Sequence, residues 1–172
     1  MLRKIFGLLM LIGLLSLSPV AVMSQGYTLG LSVSTLNNPF FVTLVDGAQE
    51  AADAMGIELI VVDAQDSPST EASNIEDLIA QGVDAILINP TDSDAVVPSV
   101  LSANDAGIPV FTIDRSANGG EVVSHIASDN VAGGALAAQF LCHKLEGEGS
   151  VVELEGIAGT SAARDRGLGF NE

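Results

Sequence analysis

Cysteine occurs once, at Cys142, so no intramolecular disulfide is available, and neither His125 nor His143 has ligand-type neighbours at zinc-site spacing. Cys142 is accordingly read as a small buried residue and both histidines as ordinary structural or surface groups. No metal and no cofactor are expected. Tryptophan is absent and aromatics make up only 4% of the chain, so each phenylalanine needs its own account. Bases are scarce as well: 6 stand against 22 acids, a net charge of -16. A field of that sign repels phosphate, which excludes nucleic acid as a partner. Nucleotide and hydrolase signatures are missing too, with no GxxxxGK[ST], no GxGxxG and no Ser-His-Asp order at nucleophile-elbow spacing. What is present is apolar: 48% of the 172 residues are hydrophobic and 16% charged. That excludes a disordered acidic tail and is enough to bury the core of one domain, or of one and part of another.

The first residues stand apart from the rest. Arg3 and Lys4 precede an uncharged, mostly aliphatic run from Ile5 to about Val22, followed by Met23-Ser24-Gln25-Gly26. This is the three-part form of a secretory signal, with Val22 and Ser24 as the small residues before the cleavage point. A membrane anchor would need a similar apolar length. The short basic start and the fading of the apolar core into Ser and Pro favour a cleaved signal over residues 1–24. No cysteine stands near the cleavage point, so a lipid anchor there is excluded. Cleavage leaves four bases against the same acids, about -18 in net charge. The expected product is exported, soluble and acidic, with no stable membrane insertion.

From Gly56 onward one pattern recurs. Gly56-Ile-Glu-Leu-Ile-Val-Val-Asp63, Gly82-Val-Asp-Ala-Ile-Leu-Ile-Asn89 and Gly107-Ile-Pro-Val-Phe-Thr-Ile-Asp114 each run from a glycine through an apolar stretch to a polar residue seven positions on. Each glycine suits a helix C-cap, and each near-continuous apolar run suits a parallel strand covered on both faces. Strands over Thr28 to Ser34, Val122 to Ala127 and Ser150 to Glu155 extend the set. Between them lie helical stripes. One begins at Asn38-Pro39 and carries Phe41, Leu44, Val45, Ala48, Ala52 and Met55; another begins at Ser67-Pro68 and turns Ala72, Ile75, Leu78 and Ile79 inward. A third runs from about Ser93 to Ala106, with Pro98 expected to break it after its first turn. Strand and helix alternating at this interval predict an α/β fold, a doubly wound parallel sheet with right-handed crossovers.

In such sheets ligands bind beyond the carboxyl ends of the strands, where this chain places Asn38, Asn89, Asp114 and Arg115. Each has a structural role as its alternative. Asn38 fits an N-cap equally well. Phe40 sits at the edge of the stripe led by Phe41, so it either overhangs the rim, where an aromatic face would suit the C–H side of a sugar ring, or joins the core. Asp114-Arg115 is an adjacent acid and base that accepts from and donates to hydroxyls, or else an ion pair fixing a loop. Asn89 has a donor and an acceptor for the same task, or forms a turn before Pro90. Arg115, Arg164 and Arg166 are three of the four remaining bases, and all fall near predicted strand-end loops. Gly156-Ile-Ala-Gly-Thr-Ser161 is a glycine turn opening a helix, a weak signal for a nucleotide-binding enzyme.

Five segments resemble the periplasmic ribose-binding proteins in order and spacing: Ser34-Thr-Leu-Asn-Asn-Pro-Phe-Phe41, Ile88-Asn-Pro-Thr-Asp-Ser-Asp-Ala95, Thr112-Ile-Asp-Arg115, Ser124-His-Ile-Ala-Ser-Asp-Asn130 and Gly156-Ile-Ala-Gly-Thr-Ser-Ala-Ala-Arg-Asp-Arg-Gly167. The resemblance covers everything after the signal. It implies a type I periplasmic binding fold, with residues 25–127 as a first lobe and 128–172 as the incomplete beginning of a second. It further implies a periplasmic, non-catalytic receptor that closes on a ribose-like monosaccharide and delivers it to the membrane permease of an ABC importer, often also to a chemoreceptor. The family's sugar contacts fall on Asn38, Asn89, Asp114 and Arg115, with Phe40 and Phe41 as a stacking wall and Arg166 as the second-lobe base. Ser128 and Ile157 fall at the lobe crossing and the cleft lining.

Chains of that family continue well past Glu172, so this sequence is expected to be a fragment that binds ribose weakly or undetectably by calorimetry. Two other functions compete with this reading. A sugar-responsive transcription repressor shares the fold but calls for a helix-turn-helix before Tyr27, where the export signal stands. A small secreted α/β enzyme calls for a nucleophile and base pair that the sequence does not show.

Overall fold

The computed structural model describes residues 26–172. The signal expected at residues 1–24 lies outside them. The described chain forms β1 (Thr28–Val33), α1 (Pro39–Met55), β2 (Glu58–Asp63), α2 (Pro68–Gln81), β3 (Ala85–Ile88), α3 (Val97–Asp105), β4 (Val110–Ile113), β5 (Ser124–Ile126), α4 (Asn130–Lys144) and α5 (Ser161–Asn171). All five strands are parallel, in the order β2-β1-β3-β4-β5. The chain moves from β1 outward to β2 and then returns past β1 to β3. That reversal opens a crevice above the carboxyl ends of β1 and β3, where the crossovers leave in opposite directions.

The repeated glycines do what their spacing predicts. Gly56, Gly82 and Gly107 have φ of 68°, 71° and 75°, a left-handed turn that a residue without Cβ makes at little cost. The N–H one residue later then reaches back to the last turn, as Ile57 does to the Ala52 carbonyl and Ile108 to that of Ala103, both at 2.9 Å. Each helix thus ends where the next strand must begin. The sheet is covered on two sides. Ile75 and Leu78 of α2 and Val100 and Ala103 of α3 pack on Ile86, Ile88 and Val110. On the opposite side lies α1, with Phe41 and Ala52 buried. The absent side chain of Gly30 admits Leu78, whose methyls stand 2.7 and 2.9 Å from where a Cβ would be.

Three expectations need correction. Pro98 does not interrupt a helix; it lies in the first turn of α3, which begins at Val97. The first turn needs no N–H from that position, so proline starts the helix there instead of breaking it. The Asp92 carboxylate closes the preceding turn, accepting from the N–H groups of Asp94 and Ala95 at 2.9 and 2.8 Å. The segment Ser150 to Glu155 forms no strand and pairs with none among the described residues. Apolar composition makes a strand only where another backbone lies alongside to complete the ladder. Cys142 is exposed, not buried. The inward stripe of α4 runs through Val131, Gly134, Ala138 and Leu141, which leaves Cys142 turned about 100° away from it.

The C-terminal helices rest on one another through glycine. A Cβ on Gly134 would meet the carbonyl of Arg166, and one on Gly169 would meet that of Val131, so α4 and α5 cross with backbones in contact. The start of α5 docks on the loops above the sheet. Ser93 Oγ accepts from Ser161 N at 3.1 Å, Ser161 Oγ accepts from Ser116 N at 2.8 Å, and the Gly159 carbonyl accepts from Ser93 N at 2.9 Å. Gly134→Ala is expected to force the two helices apart at a cost of about 1–3 kcal/mol. Hydrogen exchange should show faster amides in α4 and α5 with β1 to β4 unchanged; wild-type protection throughout would refute the backbone contact.

Candidate ligand-binding cleft

The rim is assembled by the ends of β1, β3 and β4. Asn38 precedes α1 and accepts from Phe40 N at 3.0 Å through Oδ1, so the N-cap role is real. That bond uses only the oxygen. The amide nitrogen has no hydrogen-bond partner among the described residues, and Asn38 lines the cleft. In the same turn the two phenylalanines separate as their stripe position predicts. Phe41 is 2% exposed and Phe40 is 56% exposed, with the rings edge-to-face at 5.2 Å between centroids.

At the end of β4 the backbone turns sharply. Asp114 has φ of 62°, unusual for a residue other than glycine, though aspartate tolerates it better than most. Its N–H donates to the Ile126 carbonyl at 2.8 Å and Arg115 N donates to that of Ile113 at 2.7 Å. The turn leaves the Asp114 carboxylate loosely paired, with Arg115 Nε 3.9 Å away and no hydrogen bond from the described residues. Arg115 is buried. Its Nη1 donates to the Pro90 carbonyl at 3.0 Å and its guanidinium lies 5.1 Å from the centre of the Phe41 ring. Burial lowers its pKa from the ordinary arginine value, opposed first by Asp114 and then by Asp66 and Glu71.

Across from this rim stand α5 and the segment before it. Arg166 donates through Nε to Asn130 Oδ1 at 2.8 Å, which leaves its terminal nitrogens free of protein partners among the described residues. Asn38, Phe40, Phe41, Asp114 and Arg115 on one side and Ile157 and Arg166 on the other line a single cleft of about 430 Å³. That volume lies in the range of about 300–1,000 Å³ typical of small-molecule sites. Glu153, Glu155 and Thr160 join them, and the sequence reading did not single these out.

Two candidates lie elsewhere. Asn89 is fully buried beneath the rim, where Oδ1 accepts from Ser34 N at 3.2 Å and Ser34 Oγ at 2.7 Å while Nδ2 donates to the Ile113 carbonyl at 3.0 Å. It ties the ends of three strands together, and one amide hydrogen remains uncommitted. Ser128 is exposed on the link between β5 and α4, away from the cleft. Arg164 turns to Asn118, donating to Oδ1 at 3.2 Å.

The sequence reading also missed Glu71. Its carboxylate is 1% exposed and accepts from Thr91 N and Thr91 Oγ1, each at 3.0 Å. The signal was an acid four and seven positions before Ile75 and Leu78, on the apolar stripe of α2 where a solvated carboxylate does not belong. Burial pushes its pKa from 4.5 up to about 7, against the lowering effect of the Thr91 bonds and Arg115; Asp92 adds a smaller upward push.

The parallel strands, the crossovers and the cleft beyond the strand ends define an α/β ligand-binding type of module, and the chain belongs to the family described as the periplasmic binding protein domain, matched over residues 29–172. It is 59% identical over 146 residues to the ribose import binding protein RbsB of Escherichia coli (strain K12), covering 84% of this chain and 49% of that one. The same-named protein of Bacillus subtilis (strain 168) is 57% identical over 145 residues, covering 84% and 48%. Among solved structures, an ABC transporter solute-binding protein from Mycobacterium smegmatis with bound glycerol superposes with a TM-score of 0.80 at 37% identity, over 85% of this chain and 51% of that one. The periplasmic component of the arabinose ABC transporter from Shewanella sp. ANA-3, bound to L-arabinofuranose, gives 0.78 at 33%, over 84% and 49%. The chain spans about half the length of the relatives it matches. Among the described residues no helix is long and apolar enough to cross a membrane.

Two stability predictions follow from the cleft. Phe41→Ala should cost about 3–5 kcal/mol, since it empties a core site and removes the surface under Arg115. Phe40→Ala should cost under about 1 kcal/mol. Equal losses in urea unfolding would contradict the division of the pair.

Glu71 has a folded pKa above its unfolded one, so its contribution to stability is complete below 4.5 and is lost as pH rises through about 7. Above that range the buried carboxylate costs about 3 kcal/mol at some 1.36 kcal/mol per unit. Glu71→Gln should therefore gain on wild type between about pH 4.5 and about pH 7 by up to about 1.4 kcal/mol per pH unit, and level off above that. A difference in unfolding free energy that is constant across that range would show that Glu71 does not titrate there.

Proposed function

We propose that this chain is the ligand-holding part of an extracytoplasmic receptor for ribose or a related monosaccharide, which it presents to the membrane permease of an ABC importer. One observation carries the reading: the cleft mixes charges of both signs around an aromatic wall. Asp114, Glu153 and Glu155 disfavour an anion, and Arg115 and Arg166 disfavour a cation. A neutral polyol, with a donor and an acceptor on each carbon, suits both sets, and its C–H face suits the exposed Phe40. The ribose-import relatives and the arabinofuranose-bound neighbour support the same class of ligand.

In this reading residues 25–127 are one lobe and 128–172 begin the second, with Ser128 at the crossing. The sugar shifts a hinge equilibrium because it touches both sides only when they close, and the closed form is what the permease, and a chemoreceptor where there is one, would read. Asn89 contributes its remaining amide hydrogen from below. The protein works outside the cytoplasm, delivered by the N-terminal signal. Nothing in the cleft forms a nucleophile and base pair, and the reading assigns the chain no catalysis.

NMR titration with millimolar D-ribose tests this. Resonances of Phe40, Asp114, Arg115 and Arg166 should move saturably. Asp114→Gly should abolish the shifts, because a hydrogen bond to a charged group is worth about 1.5–3 kcal/mol and this carboxylate can serve two hydroxyls. Glycine is the suitable replacement because it tolerates the φ of 62°, so stability should change by less than about 1 kcal/mol. Unmoved cleft resonances with D-ribose and with L-arabinose would defeat the proposal.

A further inference from the structure

Arg115 faces the cleft, yet the groups that hold it come from behind. Its Nη1 bonds the carbonyl of Pro90, and the next residue, Thr91, is gripped twice by Glu71, through its backbone N–H and its hydroxyl. Glu71 belongs to the first turn of α2 and is not among the residues lining the cleft. Carboxylate, loop and guanidinium form one buried chain, from α2 through the Pro90–Thr91 link to the rim. We propose that Glu71 is a positioning residue for ligand binding: it anchors the loop that aims the Arg115 guanidinium and supplies a negative charge behind it. The inference rests on the reading of the cleft as a sugar site.

The choice of residue argues for a role beyond packing. Glutamine in the same place would still accept one bond from Thr91 and would bury no charge. Keeping a carboxylate 1% exposed on an apolar stripe is unfavourable for folding, and groups held that way cluster where a charge is needed. Asp114 and Asp66 share with Glu71 the work of favouring the Arg115 cation, Arg166 opposes it, and Asp92 opposes ionisation of Glu71. When Glu71 takes up a proton, one acceptor becomes a donor, the Thr91 grip changes, and Arg115 loses a counter-charge.

The test follows the Arg115 guanidinium nitrogen and the Glu71 carboxyl carbon by NMR from about pH 5 to about pH 9, with D-ribose as the probe ligand. In wild type the Arg115 signal should titrate with the Glu71 midpoint near 7, and ribose affinity should rise with pH through the same range. Glu71→Gln should remove both pH dependences and weaken ribose binding about tenfold at the alkaline end, the loss of roughly one charge-assisted hydrogen bond. Thr91→Val keeps the backbone bond and removes the hydroxyl, and should displace the Arg115 signal in the same direction by less. An Arg115 signal identical in wild type and both variants overturns the proposal. If Arg115 follows Glu71 but ribose leaves it untouched, positioning stands and the sugar reading falls. If ribose binds wild type and Glu71→Gln alike at every pH, the sugar reading stands and the positioning role falls.

Discussion

A single buried amide holds the working edge of this molecule together. Asn89 ends β3 and bonds the start of the β1 loop on one side and the last carbonyl of β4 on the other, so three strand ends share one anchor. In a parallel sheet those ends all lie on one edge, where the ladder stops and backbone groups must find other partners. With Asn89 meeting that need from beneath, the side chains immediately above are free to face the cleft. The left-handed turn at Asp114 is affordable in this setting, because both its own N–H and that of Arg115 are bonded to neighbouring carbonyls.

Charge is distributed with the same division between support and contact. The chain is strongly acidic, and its few bases are therefore conspicuous. Arg115 is bedded on the Phe41 ring and the Pro90 carbonyl, and Arg166 is oriented by Asn130. Neither needs the ligand to be held in place, and a group already oriented loses less entropy on binding. Glu71 fits this pattern as a buried charge whose unfavourable burial is offset only partly by Thr91 and Arg115. The second wall of the cleft is anchored differently, by the serine bonds that seat the start of α5 on the loops after β3 and β4.

Composition and period were enough to read the fold class, the helix ends at Gly56, Gly82 and Gly107, and the place of Phe41 on the core stripe with Phe40 at its edge. Those features are local: a glycine seven residues before a polar strand end, or an aromatic one position off an apolar stripe, follows from helix and strand geometry alone. The carboxyl-end rule likewise placed Asn38, Asp114 and Arg115 on one edge without any contact being known. What only the tertiary structure decided depends on which surfaces meet. Asn89 went beneath the rim because β1 and β4 flank it, and Ser150 to Glu155 stayed unladdered because no described strand lies beside it. Cys142 was left outward because α5 packs on the Val131, Gly134, Ala138 and Leu141 side of α4. Glu71 became the support of a distant arginine because the loop after β3 folds back onto α2. Hydrogen bonds between residues 20 to 55 positions apart leave no period in the sequence, and their partners are chosen by packing alone.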